Sequence, residues 1–134
     1  MFNLRAVYKK LSSMTLSEGK QVQYARLNGK YLRDAEELIR KKDYAQASEK
    51  LWGACAEMIK AVAAKRGKEL GTHRSIGEFV TKLHKEHPDW KLIDSFNYAS
   101  SLHVNFYEDH LPPEHVLRGE KIVKEFVKRL RTLL

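Results

Sequence analysis

Apolar residues recur at three- and four-residue steps through almost the whole chain beyond Ser17, and nowhere do β-branched residues alternate with polar ones as a half-buried strand requires. That periodicity admits one fold class, all-α. Tyr24, Leu27, Tyr31, Ala35 and Leu38 form a stripe running to about Lys41. "KKDY" breaks it, with Asp43 as N-cap, and Tyr44, Ala47, Leu51, Cys55, Met58 and Val62 carry a second stripe to Arg66-Gly67, where glycine suits a left-handed cap. Ser75 and Glu78 have capping-box spacing, ahead of a short stripe of Ile76, Phe79, Val80 and Leu83. Pro88 takes His87 out of helical geometry.

A fourth helix places Ile93, Phe96, Ser100 and Val104 on one side and ends near Tyr107. The chain restarts at Pro112-Pro113, with Leu111 and Val116 at the positions of a hydrophobic staple. A long stripe from Val116 through Phe126 to Leu134 follows. The expected architecture is an up-and-down antiparallel bundle of four to five helices. Residues 1–14, basic and without acid, read as a flexible arm ahead of a single domain, 15–134, and Met14 is an alternative start. The tyrosine-alanine rhythm of "KKDYAQASEKLWGACAEMIKA" has no second copy, which disfavours a repeat array.

With 134 residues the chain is long enough for one core without staples, and no apolar run approaches the roughly 20 residues of a membrane span. A cytoplasmic protein is expected. Lone Cys55 reads as a small buried hydrophobe. The net charge of +8 is unevenly spread: residues 1–74 hold 16 Lys/Arg against 8 Asp/Glu, and the remainder holds 9 of each. Lys65, Arg66 and Lys68 are candidate polyanion contacts, weighed against a merely solvated face.

The chemistry-bearing stretch is "SLHVNFYEDHLPPEH", with three of the six histidines and no Lys or Arg. On a helix His103 and Tyr107 share a face, with Ser100 one turn earlier. The plainest reading has Phe106 and Tyr107 packing into the bundle while Asp109, His110 and Glu114 dress a connection. Glu108, Asp109, His110, Glu114 and His115 are metal ligands by type but lack ligand spacing, so neither metal nor cofactor is expected. His73, His84 and His87 stand isolated in the sequence.

"KKDYAQASEKLWGACAEMIKAVAAKRG", "HRSIGEFVTKL" and "SLHVNFYEDHLPPEHV" together resemble the archaeal PaREP family, small helical proteins placed in the HEPN superfamily, from about Tyr31 to the C-terminus. The resemblance implies an HEPN-like bundle, commonly homodimeric. It also implies either a metal-independent ribonuclease or the partner of a minimal nucleotidyltransferase in a toxin–antitoxin pair. HEPN nucleases carry an Arg, often followed by Asn, Asp or His, and then a His after four to six residues. Here Asn105 and His110 have that spacing, His103 fits its outer limit, and Val104 stands where the Arg would be.

Catalysis by 2′-hydroxyl attack needs a group titrating near neutrality and a cation at the phosphate. His110 or His103 would serve as the former, but Val104 supplies no charge, and Glu108 and Asp109 oppose a phosphate. The expectation is a non-catalytic or weakly active module that binds a nucleotide, RNA or a protein partner, with Tyr107 and Glu108 as further binding candidates. An endoribonuclease centred on His110 and a purely structural scaffold are the alternatives. A homodimer is expected through the surface of Phe96, Tyr98, Phe106 and Tyr107, since aromatics are enriched and Lys depleted at interface cores.

Overall fold

The computed structural model describes residues 3–12 and 14–134. Met1, Phe2 and Ser13 of the expected arm lie outside them. The described residues form six α-helices and one 3-10 turn, with no strand among them. They run α1 Leu4–Ser12, α2 Leu16–Arg40, α3 Tyr44–Lys65, α4 His73–Glu86, the 3-10 turn Pro88–Trp90, α5 Leu92–Glu108 and α6 Pro113–Arg131. Part of the expected arm is thus helical, as α1, and its Leu4 and Tyr8 are exposed. No described helix is long and apolar enough to cross a membrane.

The all-α class and packed bundle follow the periodicity, with α2–α6 as the bundle proper. Helix α3 lies at its centre and packs against α2, α4, α5 and α6. Its sequence explains that position, because a helix apolar on most of its circumference must be surrounded. Leu51, Met58, Ile59 and Val62 are fully buried together with a set of alanines, Ala47, Ala54, Ala61 and Ala63, which let neighbouring helices come close.

The ends of α3 are fixed locally. The Asp43 carboxylate accepts from Gln46 N at 3.2 Å. At the other end Gly67 takes φ +73°, Gly67 N donates to Ala64 O and Lys68 N to Ala63 O, the paired bonds of a Schellman cap.

Two expectations shift. The capping box of α4 is Thr72 with Ser75, not Ser75 with Glu78: Ser75 N donates to Thr72 Oγ1 and Thr72 N to Ser75 Oγ, both at 3.0 Å. Glu78 instead pairs with Arg74, one turn back on the exposed face. Helix α5 is rotated relative to the expected stripe, burying Leu92, Phe96, Ala99, Leu102 and Asn105 and leaving Val104 45% exposed. A polar residue, Asn105, sits in the core line, and a pattern built from apolar residues alone passes over it. Tyr107, expected inside, is 72% exposed.

Cys55 is fully buried, and desolvation pushes its thiol pKa up, since burial disfavours the thiolate. The native protein is therefore expected to react with a disulfide reagent on the order of 100-fold more slowly than the denatured chain. Stoichiometric native labelling within minutes would contradict this placement.

Candidate functional site

The structure divides the chemistry of residues 101–115 between two sides of α5. Asn105 turns inward. Its amide Nδ2 donates to Ser48 Oγ at 3.0 Å, and its Oδ1 accepts from His110 N at 2.9 Å and Leu111 N at 2.8 Å. Asp109, at φ +46°, ends the helix and donates its N–H to Asn105 O. Asn105 is thus the fully buried pin of the α5–α6 turn, and all its side-chain groups are occupied by protein.

It meets His110 through the latter's backbone, not its ring. That ring is exposed, with Nδ1 3.5 Å from Glu108 Oε2. Glu108 and Tyr107 are exposed beside it. The sequence from Leu92 to Leu117 holds no Lys or Arg, and Val104 faces outward.

His103 points the other way, toward α3. Its Nδ1 lies 2.9 Å from Glu49 Oε2, and its ring centroid is 5.4 Å from Trp52 and 5.5 Å from Tyr107, which it meets edge-on. Trp52 also stacks with His73, at 4.9 Å and 21°. His73 opens α4 directly after the Gly71-Thr72 turn, and its Nε2 is 3.5 Å from Ser100 Oγ. Phe96 closes the cluster against Trp52 and His73. So His73, isolated in sequence, and His103 flank one indole, each held by a polar partner.

Two clefts meet at Trp52. One, of about 260 Å³, is lined by Tyr31, Glu49, Lys50, Gly53, Glu57 and Lys60 as well as Trp52. The other, of about 220 Å³, runs past Lys60 and Ala56 to Gly71, Thr72 and His73. Gly53 lets the Tyr31 ring seat against bare backbone on the wall of the first: a Cβ there would lie 3.0 Å from the ring, tighter than ordinary contact.

The electrostatics are mixed. Lys60 Nζ is 3.6 Å from Glu57 Oε1, while Glu57 Oε2 is buried without a hydrogen-bond partner. Lys50 lies 5.1 Å over the Tyr31 ring. Rings, two imidazoles, two ammonium groups and two carboxylates suit a planar, polar, partly anionic ligand. Among the described residues no group of three or more His, Cys, Asp and Glu is arranged to hold a metal ion.

The basic candidates lie elsewhere and are partly occupied. The Arg66 guanidinium grips Glu86 with two bonds of 2.8 and 2.7 Å, which hold the Glu86 carboxyl below its ordinary range and raise the pKa of Arg66. Lys65 Nζ donates to Leu134 O at 2.6 Å. Lys68 stands beside Lys82, whose proximity lowers its pKa.

Sequence reasoning found His103, Ser100 and Tyr107 as one face but missed Trp52, Glu49, Glu57, Lys60 and the pairing with His73. A signal existed for part of this. Glu49, Trp52-Gly53, Ala56-Glu57 and Lys60 fall at three- and four-residue steps, a polar seam along an otherwise apolar helix.

A crystal structure of a Sulfolobus solfataricus protein is similar to this chain at a TM-score of 0.72 and 22% identity, covering 80% of this chain and 95% of that one. At that identity the likeness shows the fold. No curated protein matches. The family model described as the archaeal PaREP1/PaREP8 family matches residues 23–127, from the first third of α2 to near the end of α6, and contains Trp52, His73, His103 and His110 alike. With most of its length matched, the chain belongs to the archaeal PaREP1/PaREP8 family.

Proposed function

We propose that this chain is an HEPN-like helical module that binds a nucleotide, or the exposed bases of single-stranded RNA, in the groove around Trp52, and that it is inactive or weakly active at Asn105–His110. The observation that carries the reading is the indole of Trp52 at the junction of two clefts, flanked by His73 and His103. Unpaired bases are bound by stacking on aromatic and imidazole rings and by hydrogen bonds to their edges. Glu49, Glu57, Lys50 and Lys60 supply acceptors and donors around the rings. On the Asn105–His110 side the amide is engaged by Ser48, His110 and Leu111, and the sequence from Leu92 to Leu117 supplies no Lys or Arg.

A homodimer belongs to the same reading. The large apolar or aromatic residues exposed on α5 are Val104 and Tyr107; of the expected surface Phe96 is in the core, Phe106 is half-buried and the Tyr98 hydroxyl donates to His115 O at 2.7 Å. A nucleotidyltransferase-type partner and a cytoplasmic setting complete it.

Fluorescence titration with ribonucleotides and a short single-stranded RNA tests the proposal. In a Trp90→Phe background, Trp52 is the remaining indole. Saturable quenching, abolished by His73→Ala with His103→Ala in a folded variant, is the expected result. No quenching and no calorimetric heat with any of these ligands would overturn it.

A second reading is favoured by the Glu49–His103 hydrogen bond, since a carboxylate can hold an imidazole in one orientation and tautomer. Weak RNA cleavage, if detected in purified protein, would then fall with His103→Ala and persist with His110→Ala.

A further inference from the structure

A recess of about 350 Å³ lies on another part of the molecule, where the 3-10 turn, the start of α5 and the middle of α6 meet. Four cations line it, Lys91, Arg118, Lys121 and Arg129, against two carboxylates, Asp89 and Glu125. Arg129 is already committed, with Nε 3.2 Å from Glu125 Oε1 and Nη1 3.5 Å from Asp89 O. Lys91, Arg118 and Lys121 have no carboxylate partner among the described residues, while many of the chain's other cations do. Lys20 pairs with Glu69, Lys30 with Asp34, Arg40 with Glu37, Arg66 with Glu86 and Lys124 with Glu36. This recess keeps unneutralised cations gathered around one concavity.

Its remaining wall is aromatic. Trp90 lines the recess and is stacked on His87 at 4.0 Å and 9°, so the indole is held at a fixed angle. Unpaired cations beside a fixed aromatic wall match a phosphodiester with its base, since the cations take the phosphate oxygens and the indole takes a base face or edge. An acidic peptide would satisfy the cations and leave Trp90 without a role. A regular duplex keeps its bases stacked on each other and offers Trp90 none.

We propose that this recess is a binding site for single-stranded RNA, with Lys91, Arg118 and Lys121 on a phosphate and Trp90 against the adjoining base. The site does not depend on the Trp52 groove, and its variants leave that groove untouched.

Anisotropy of a fluorescein-labelled oligouridylate, measured over a series of salt concentrations, tests the assignment. Arg118→Gln with Lys121→Gln changes two exposed side chains, and a thermal melt checks that the variant is folded. Binding should weaken about tenfold at low salt, and the slope of log K against log salt should become shallower by up to about 0.7, the contribution of one phosphate contact on a single strand. Trp90→Leu should weaken binding several-fold with the slope unchanged. Lys85→Gln with Lys128→Gln, exposed cations outside the recess, should change little. The proposal is overturned by unchanged affinity in the Arg118/Lys121 variant, by an equal loss in the Lys85/Lys128 control, or by no binding to the wild-type chain. Polyglutamate competing as well as unlabelled RNA would overturn it in favour of an acidic protein partner.

Discussion

Replacing Asn105 with leucine is expected to destabilise the protein by about 2–4 kcal/mol, as measured by the midpoint of urea unfolding. The side chain is fully buried, and its carbonyl is the acceptor for two backbone N–H groups, of His110 and Leu111, that turn the chain from α5 into α6. Leucine fills similar space but leaves both donors unpartnered, and an unmade buried hydrogen bond is more costly than a made one is stabilising. Ser48→Ala removes only the acceptor of the Asn105 amide, at 3.0 Å, and should lose about 1 kcal/mol. A loss below that for Asn105→Leu would mean that the turn is held by other contacts. The same experiment separates structure from catalysis at a position whose spacing to His110 invites a catalytic reading.

Trp52→Ala should be still more damaging, by about 3–5 kcal/mol, as a large core side chain is deleted and its cavity cannot fully close. The indole is 92% covered, packed by His73, Phe96 and His103 from two other helices. Trp52→Phe retains much of the apolar area and is the informative variant. It should fold with a smaller loss, yet bind nucleotide several-fold more weakly, because the wider ring that borders both clefts is gone. Normal nucleotide affinity in Trp52→Phe would detach binding from the groove.

The helices were legible because each carries its own punctuation. Asp43, Gly67, Pro88 and Pro112 act within a few residues of themselves, and local geometry decides them. The facing of α5 was not legible, because its core line includes Asn105, and nothing short of the partner groups on Ser48, His110 and Leu111 reveals that an amide is satisfied inside. The candidate site was half legible for a related reason. His103, Ser100 and Tyr107 share one helix, so spacing finds them, whereas His73 lies 21 residues after Trp52, beyond the end of α3, and only tertiary packing brings it to the same indole. Charge misleads in the same way: totals along the chain count Arg66 as available, although both of its terminal nitrogens donate to Glu86.

The central position of α3 also orders events in time. Helices α2 and α3 are sequence neighbours joined by Lys41–Asp43, and they share the most extensive contact in the molecule, so their hairpin closes a short loop for a large return. Pairings of this local kind form early in a folding reaction, before contacts that must close longer loops. On a ribosome the hairpin emerges first as well, with the far side of α3 bare until α4, α5 and α6 arrive. Trp52 and the cleft between α2 and α3 are therefore in place before either histidine, and the second cleft and the imidazole flanks come only with the later docking steps. A ligand that bridges α3, α4 and α5 binds the finished bundle and none of its precursors, which makes ligand occupancy a report on completed folding.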